Sequence, residues 1–240
     1  MAGSQRLILV DALRGLAILL MVIYHFCYDL TYFKLYQFDF YNDPFWLNFR
    51  NFIVGSFVFI VGVSFSLAMQ KGINWPAYKK RLAILIACAM GISLLTYFMF
   101  PGRTIFFGIL HFIAFASVLA LLFRKLYWSN LLIGAGIIVA ALTIKSAMFN
   151  DNWLVWIGFY TQKTATEDFA SVFPWFGIVL TGMFAGKFLL NKKNLKKFDS
   201  DYPKGNSCNG LLFAGRNSLL IYMIHQPVLM AVLYLVTIIK

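Results

Sequence analysis

The stretch Asp11-Ala-Leu-Arg14-Gly-Leu-Ala-Ile-Leu-Leu-Met-Val-Ile-Tyr-His25-Phe-Cys-Tyr-Asp29 decides the fold. It is apolar enough to cross a bilayer, yet it carries four ionisable side chains. A helix advances about 100° per residue, so Arg14 and His25 lie roughly 20° apart around its axis. Asp11 and Asp29 are about five whole turns apart and share one azimuth; the other two fall within about 60° of it. Each charge at mid-membrane costs roughly 2.5–3.5 kcal/mol on insertion scales. Such a stripe must face protein or a water-filled cavity, which makes it the default functional-site candidate.

The rest of the chain extends the apolar pattern. Of 240 residues, 61% are hydrophobic and 12% charged. That is more apolar surface than a soluble domain of this size needs, and it predicts an all-α, polytopic integral membrane bundle. Spans are expected at about 8–30, 50–70, 82–100, 105–123, 130–149, 171–190 and 217–239, about seven in all. The segment 151–161 is too short to cross and reads as an interfacial or re-entrant piece with an aromatic belt. The first run is too long and too polar for a cleavable signal peptide, and no small-x-small cleavage pattern follows it. With no repeat and no Gly/Ser-rich linker, residues 1–240 read as one membrane-embedded domain. The Lys-, Asp- and Asn-rich stretch 191–210 reads as a solvated connector.

The net charge of +12 reads as topology signal and lipid headgroup contact; no nucleic-acid module is visible. With the N-terminus in the cytoplasm, Arg6, the Lys71/Lys79/Lys80/Arg81 loop, Arg124 with Lys125, and the loop from Lys187 to Arg216 all fall inside. Lys34, Arg50, Arg103, Lys145, Lys163 and Lys240 remain outside. The three cysteines, Cys27, Cys88 and Cys208, have no metal-like spacing and argue against a zinc site or a disulfide framework.

All three histidines fall within predicted spans. His25 and Asp29 stand at i,i+4, so the carboxylate can orient the imidazole and raise its basicity, as a general base requires. The same residues also suit a packing histidine and an interfacial carboxylate. Asp11 and Arg14 suit an interfacial ion pair, or a cation presented to an anionic ligand at the cytoplasmic mouth. His111 and His225 suit interhelical hydrogen bonds as well as chemistry. Pro227 removes a backbone donor and frees the carbonyl of Met223 one turn back. In Gly215-Arg216-Asn217-Ser218, Asn217 or Ser218 can cap the last helix, and Arg216 stands at an anion-favouring N-terminus. Gly62, Ser64 and Ser66 read as close-packing positions. There is no phosphate loop, nucleophile elbow or metal-ligand cluster.

Three segments together resemble the heparan-alpha-glucosaminide N-acetyltransferase catalytic-domain family, within the transmembrane acyltransferase superfamily. They are Val10 to Met21 followed by His25; Phe59-Ile-Val-Gly62-Val-Ser64-Phe-Ser with Lys79-Lys80-Arg81 and Gly108-Ile-Leu-His111; and Gly215 to Pro227. The spacing from Arg14 to His25 also matches the membrane acyltransferase 3 family. The resemblance implies acyl transfer, usually of acetyl, from cytoplasmic acetyl-coenzyme A to an amine or hydroxyl acceptor on the far side. Lysosomal members carry an extra histidine after their first helix; this chain has none between His25 and His111. The catalytic role then moves to His25 helped by Asp29, with His111 and His225 as oxyanion donors or acceptor-orienting groups. Arg14, Asp11, Lys79, Arg81, Arg216 and Ser218 are the expected coenzyme A contacts. Direct transfer and an acyl-histidine route both remain open. The expected partners are a small-molecule or carbohydrate acceptor and membrane lipids, with a homo-oligomer left open, in a bacterial inner membrane. The competing readings are a proton-coupled transporter using His25 and Asp29, and a structural membrane component without chemistry.

Overall fold

Long charge-poor runs satisfy their backbone internally by coiling, and every regular element among the described residues is helical. The computed structural model describes residues 8–70, 72–100, 102–151, 153–162, 166, 168–189 and 206–239. The helices are α1 (Ile8–Tyr32), α2 (Pro44–Ala68), α3 (Trp75–Met99), α4 (Ile109–Phe123), α5 (Trp128–Thr143), α6 (Val172–Leu189), α7 (Asn206–Arg216) and α8 (Ser218–Ile239). Single 3-10 turns occupy Ala147–Asn150 and Val155–Ile157 between α5 and α6.

Five helices, α1, α2, α3, α6 and α8, are long and apolar enough to cross a membrane. The protein is thus a multi-pass integral membrane protein. α4 and α5 are apolar but have only 15 and 16 residues. At about 1.5 Å per residue each spans roughly 23 Å, short of a ~30 Å hydrocarbon core. The expected spans at 105–123 and 130–149 are therefore shorter than their apolar runs.

Local chemistry sets these limits. The Asp43 carboxylate accepts the Phe45 N–H at 2.8 Å, and Pro44 follows it, so α2 starts several residues before the expected position. Asn74 accepts from the Ala77 N–H at the start of α3. Residues 105–108 are drawn out of α4 by distant partners. The Ser93 hydroxyl donates to the Ile105 carbonyl, Thr96 Oγ1 accepts from the Ile105 N–H, and Asp168 Oδ2 accepts from the Ile109 N–H at 2.8 Å. The connector expected at 191–210 ends within its own range, because residues from 206 onward form α7. Residues 190–205, which hold most of that connector, lie outside the described residues.

The chain divides into two compact units, Met1–Phe57 with Leu195–Lys240, and Val58–Asn194. In the first, α1 packs on α7 and α8. Its core joins Ile18, Met21 and Tyr24 of α1 to Phe40, Trp46 and Ile53. In the second, α6 packs on α5 and on 58–68 of α2. A β-carbon on Gly62 would sit 2.1 Å from the Val179 carbonyl oxygen, and one on Gly182 2.2 Å from that of Phe59. Ser66 Oγ donates to the Met183 carbonyl at 2.7 Å. Gly62 and Ser66 are packing positions, as the sequence suggested.

Candidate functional site

The first unit brings the two ends of the polar stripe against α7 and α8. At one end, α1 and α7 cross backbone on backbone. A β-carbon on Gly15 would stand 2.0 Å from the Leu211 carbonyl oxygen, and one on Gly215 1.8 Å from that of Asp11. This approach sets the arginine that follows Gly215 beside the carboxylate four residues before Gly15. Asp11, only 7% exposed, receives two guanidinium groups. Arg14 Nη1 donates to its Oδ1 at 2.9 Å, and Arg216 Nε lies 3.5 Å from its Oδ2. Arg14 also reaches the Gly215 carbonyl at 3.4 Å, in the last turn of α7 where the helix dipole favours a cation. The cluster carries one carboxylate and two guanidinium groups, an excess of one positive charge. The Arg216 side chain is half exposed.

Eleven residues further along α1, roughly 16 Å at about 1.5 Å per residue, the same face meets α8. The rings of His25 and His225 stand 4.9 Å apart between centroids, inclined at 63°. His225 Nδ1 lies 2.7 Å from the Tyr222 carbonyl oxygen. A carbonyl only accepts, so Nδ1 carries the proton and the lone pair is on Nε2. Nε2 is buried and has no hydrogen-bond partner in the structure. Beside it, Gln226 Nε2 donates to Asp29 Oδ1 at 2.7 Å, while Gln226 Oε1 is buried without a partner. Asp29 is 1% exposed. Asp29 Oδ1 thus meets Gln226 of the facing helix, and the rings beside His25 are those of His225 and, edge-on at 5.7 Å, Tyr24.

The other expected residues fall elsewhere. Ser218 is the first residue of α8. Asn217 does not cap α8 with its side chain; its Nδ2 donates backward to the Phe213 carbonyl of α7. His111, Lys79 and Arg81 belong to the second unit. Both nitrogens of His111 are engaged: Nδ1 accepts from the Gly108 N–H at 3.3 Å, so Nε2 donates to Ser93 Oγ at 3.1 Å. That ring closes the N-terminus of α4. Lys79 and Arg81 are exposed in the first turns of α3. Among the described residues, no group of three or more His, Cys, Asp and Glu side chains converges as a metal site would.

Sequence reasoning missed Gln226, Gly15, Gly215 and Asp168. Two of these had a signal, because each glycine stands directly beside an arginine of the stripe or of the Gly215-Arg216 segment. Gln226 is uncharged and stands beside a histidine that draws the attention, and Asp168 meets α4 from 59 residues away.

The protein is thus a helical membrane protein with a doubly paired carboxylate at one end of its first helix and two imidazoles further along it. The family described as heparan-alpha-glucosaminide N-acetyltransferase, catalytic, matches residues 6–227, nearly the whole length, and the chain belongs to it. No curated protein and no solved structure matches the chain. Membership makes the activity type that of a membrane acetyltransferase, and the transporter reading gains no support from it.

Proposed function

We propose that this protein transfers an acyl group, acetyl in the usual case, from a cytoplasmic coenzyme A thioester to an amine or hydroxyl acceptor on the opposite side of the membrane. A sugar or glycoconjugate is the acceptor class that the family suggests. The observation that carries the reading is the run of α1 from a cluster of net positive charge to a partly buried imidazole pair, with α7 and α8 packed along it.

The roles follow from the chemistry of each end. Coenzyme A is polyanionic and does not cross a bilayer, so its phosphates belong with cations at a membrane surface. Arg216, half exposed at the α7–α8 junction, and Arg14 suit that task. Asp11 holds both guanidinium groups in place. Ser218 and the exposed Lys79 and Arg81 are further candidates. The imidazole pair suits removal of the acceptor's proton, either for direct attack on the thioester or through an acylated histidine. The setting we propose is a bacterial inner membrane, with the N-terminus in the cytoplasm.

The test is release of free thiol from acetyl-coenzyme A by proteoliposomes holding the purified protein and a panel of amino sugars and sugar alcohols. Wild-type protein should turn over. Arg216→Ala should raise the KM for the thioester and leave kcat near its original value, the mark of lost uniform binding. His25→Ala should lower kcat. Thioester-independent, pH-driven flux of a solute with no thiol release would overturn the reading in favour of a transporter.

A further inference from the structure

We infer that His225, through Nε2, is the group that takes the acceptor's proton, and that His25 lines the site beside it without doing so. This rests on the acyltransferase reading above and assigns a proton path within it.

The tautomer decides. With Nδ1–H committed to the Tyr222 carbonyl at 2.7 Å, His225 can accept a hydrogen bond at Nε2 and, while neutral, cannot donate one there. An oxyanion needs donors, so stabilising the developing charge, the role first expected of His225, is the one its bonding opposes. A proton on its way out of an amine or hydroxyl needs an acceptor, and Nε2 is a buried lone pair with no partner. The backbone carbonyl behind the ring fixes its orientation and stabilises the imidazolium that forms. Gln226, one residue on, presents a second buried and unpartnered acceptor, Oε1, while its amide nitrogen is held by Asp29 Oδ1 at 2.7 Å. Two neighbouring acceptors on α8 call for a group that brings hydrogens. Gln226 is therefore a positioning residue, and the Asp29 carboxylate keeps its amide from turning over.

The acceptor's nitrogen or oxygen forms its bond to the acyl carbon, and the bond from that carbon to sulfur breaks. Nε2 takes the acceptor's proton and passes it to the departing thiolate, so His225 ends neutral and the products are the acylated acceptor and free thiol.

Two measurements test this on the full chain. The first is His225→Asn, whose amide nitrogen stands where Nδ1 stood and keeps a donor for the Tyr222 carbonyl but offers no lone pair at the Nε2 position. Turnover should fall by about 10²–10⁴, the range for losing a general base. The acid limb of the kcat/KM profile should disappear with it and persist in His25→Asn. Wild-type-like turnover with an intact acid limb in His225→Asn overturns the assignment. The second measurement needs no turnover: nitrogen NMR of ¹⁵N-histidine-labelled protein. His225 should show a protonated Nδ1 and a bare Nε2. A protonated Nε2 with a bare Nδ1 overturns the proposal. The expected tautomer in a protein that releases no thiol from any acyl thioester would defeat the acyltransferase reading instead, and the proton path with it.

Discussion

Asp29 shows how a single carboxylate is kept inside an apolar helix bundle. A lone charge there is expensive, and Gln226 supplies a donor from the facing helix. Gln226→Ala removes that donor and leaves the carboxylate short of a partner. The expected loss is about 0.6–2 kcal/mol, the range for interhelical hydrogen bonds in membranes, read from unfolding in detergent. Asp29→Asn should lose less than Asp29→Ala, because an amide oxygen still accepts from Gln226. Asp39 illustrates the opposite setting. It is exposed in the loop between α1 and α2, where the backbone N–H and side-chain amide of Asn42 and the backbone N–H of Tyr41 donate to its carboxylate. These bonds, the Asn42 backbone bond foremost, hold its pKa below the usual carboxylate value. A depressed folded pKa means that the stabilising contribution is fully present above the unfolded value, about 3.9, and is lost as pH falls through the folded value. Protection of the Tyr41 and Asn42 amides from hydrogen exchange should follow that course. Asp39→Asn, which keeps an acceptor oxygen without the titration, should flatten it.

At the scale of elements, the decisive contact is the crossing of α1 on α7. A methyl group on Gly215 would fall 1.8 Å from the Asp11 carbonyl oxygen, and one on Gly15 2.0 Å from that of Leu211. Backbone cannot swing aside as a side chain does, so Gly15→Ala and Gly215→Ala should each destabilise by at least the ~1–3 kcal/mol typical of overpacking. Both should also separate Arg216 from Asp11. Thermal unfolding checks the first effect, and a raised KM for the thioester in protein that remains folded checks the second. Much of this was legible from residue patterns. The azimuths of Asp11, Arg14, His25 and Asp29 correctly marked one face of α1 as turned toward protein. What that face meets was not legible, because a helical period says which side is polar and nothing about its partner. α7 was hidden for a related reason. Its first residues, Asn206, Ser207, Cys208, Asn209 and Gly210, are weak helix formers, and the helix is held by packing on α1. α4 lost its first turn to Asp168 and Ser93, partners that lie too far away in sequence for any local pattern to include them.

At the scale of the whole molecule, the site constrains how the chain threads the bilayer. Arg14 meets Arg216 around Asp11, and His25 meets His225, so α1 and α8 run in the same direction. Two parallel spanning helices require an odd number of crossings from the first to the last, whether α4 and α5 both span or neither does. Seven or five crossings satisfy this, and six do not. The loop after α1 and the end of α8 must then share one side of the membrane, and the topology proposed above sets the start of α1 on the cytoplasmic side. Single cysteines placed in a cysteine-free background test both statements with a membrane-impermeant maleimide on intact cells. Lys34→Cys, in the loop after α1, and Ile239→Cys, at the end of α8, should label from outside. Lys79→Cys and Lys125→Cys should label only after the membrane is opened. Labelling of Lys34→Cys and Ile239→Cys from opposite sides would mean an even count and antiparallel helices, which the pairing of His25 with His225 does not allow. Matched labelling of both from the cytoplasm would keep the helix pair but invert the protein. Its arginine end would then face away from cytoplasmic coenzyme A.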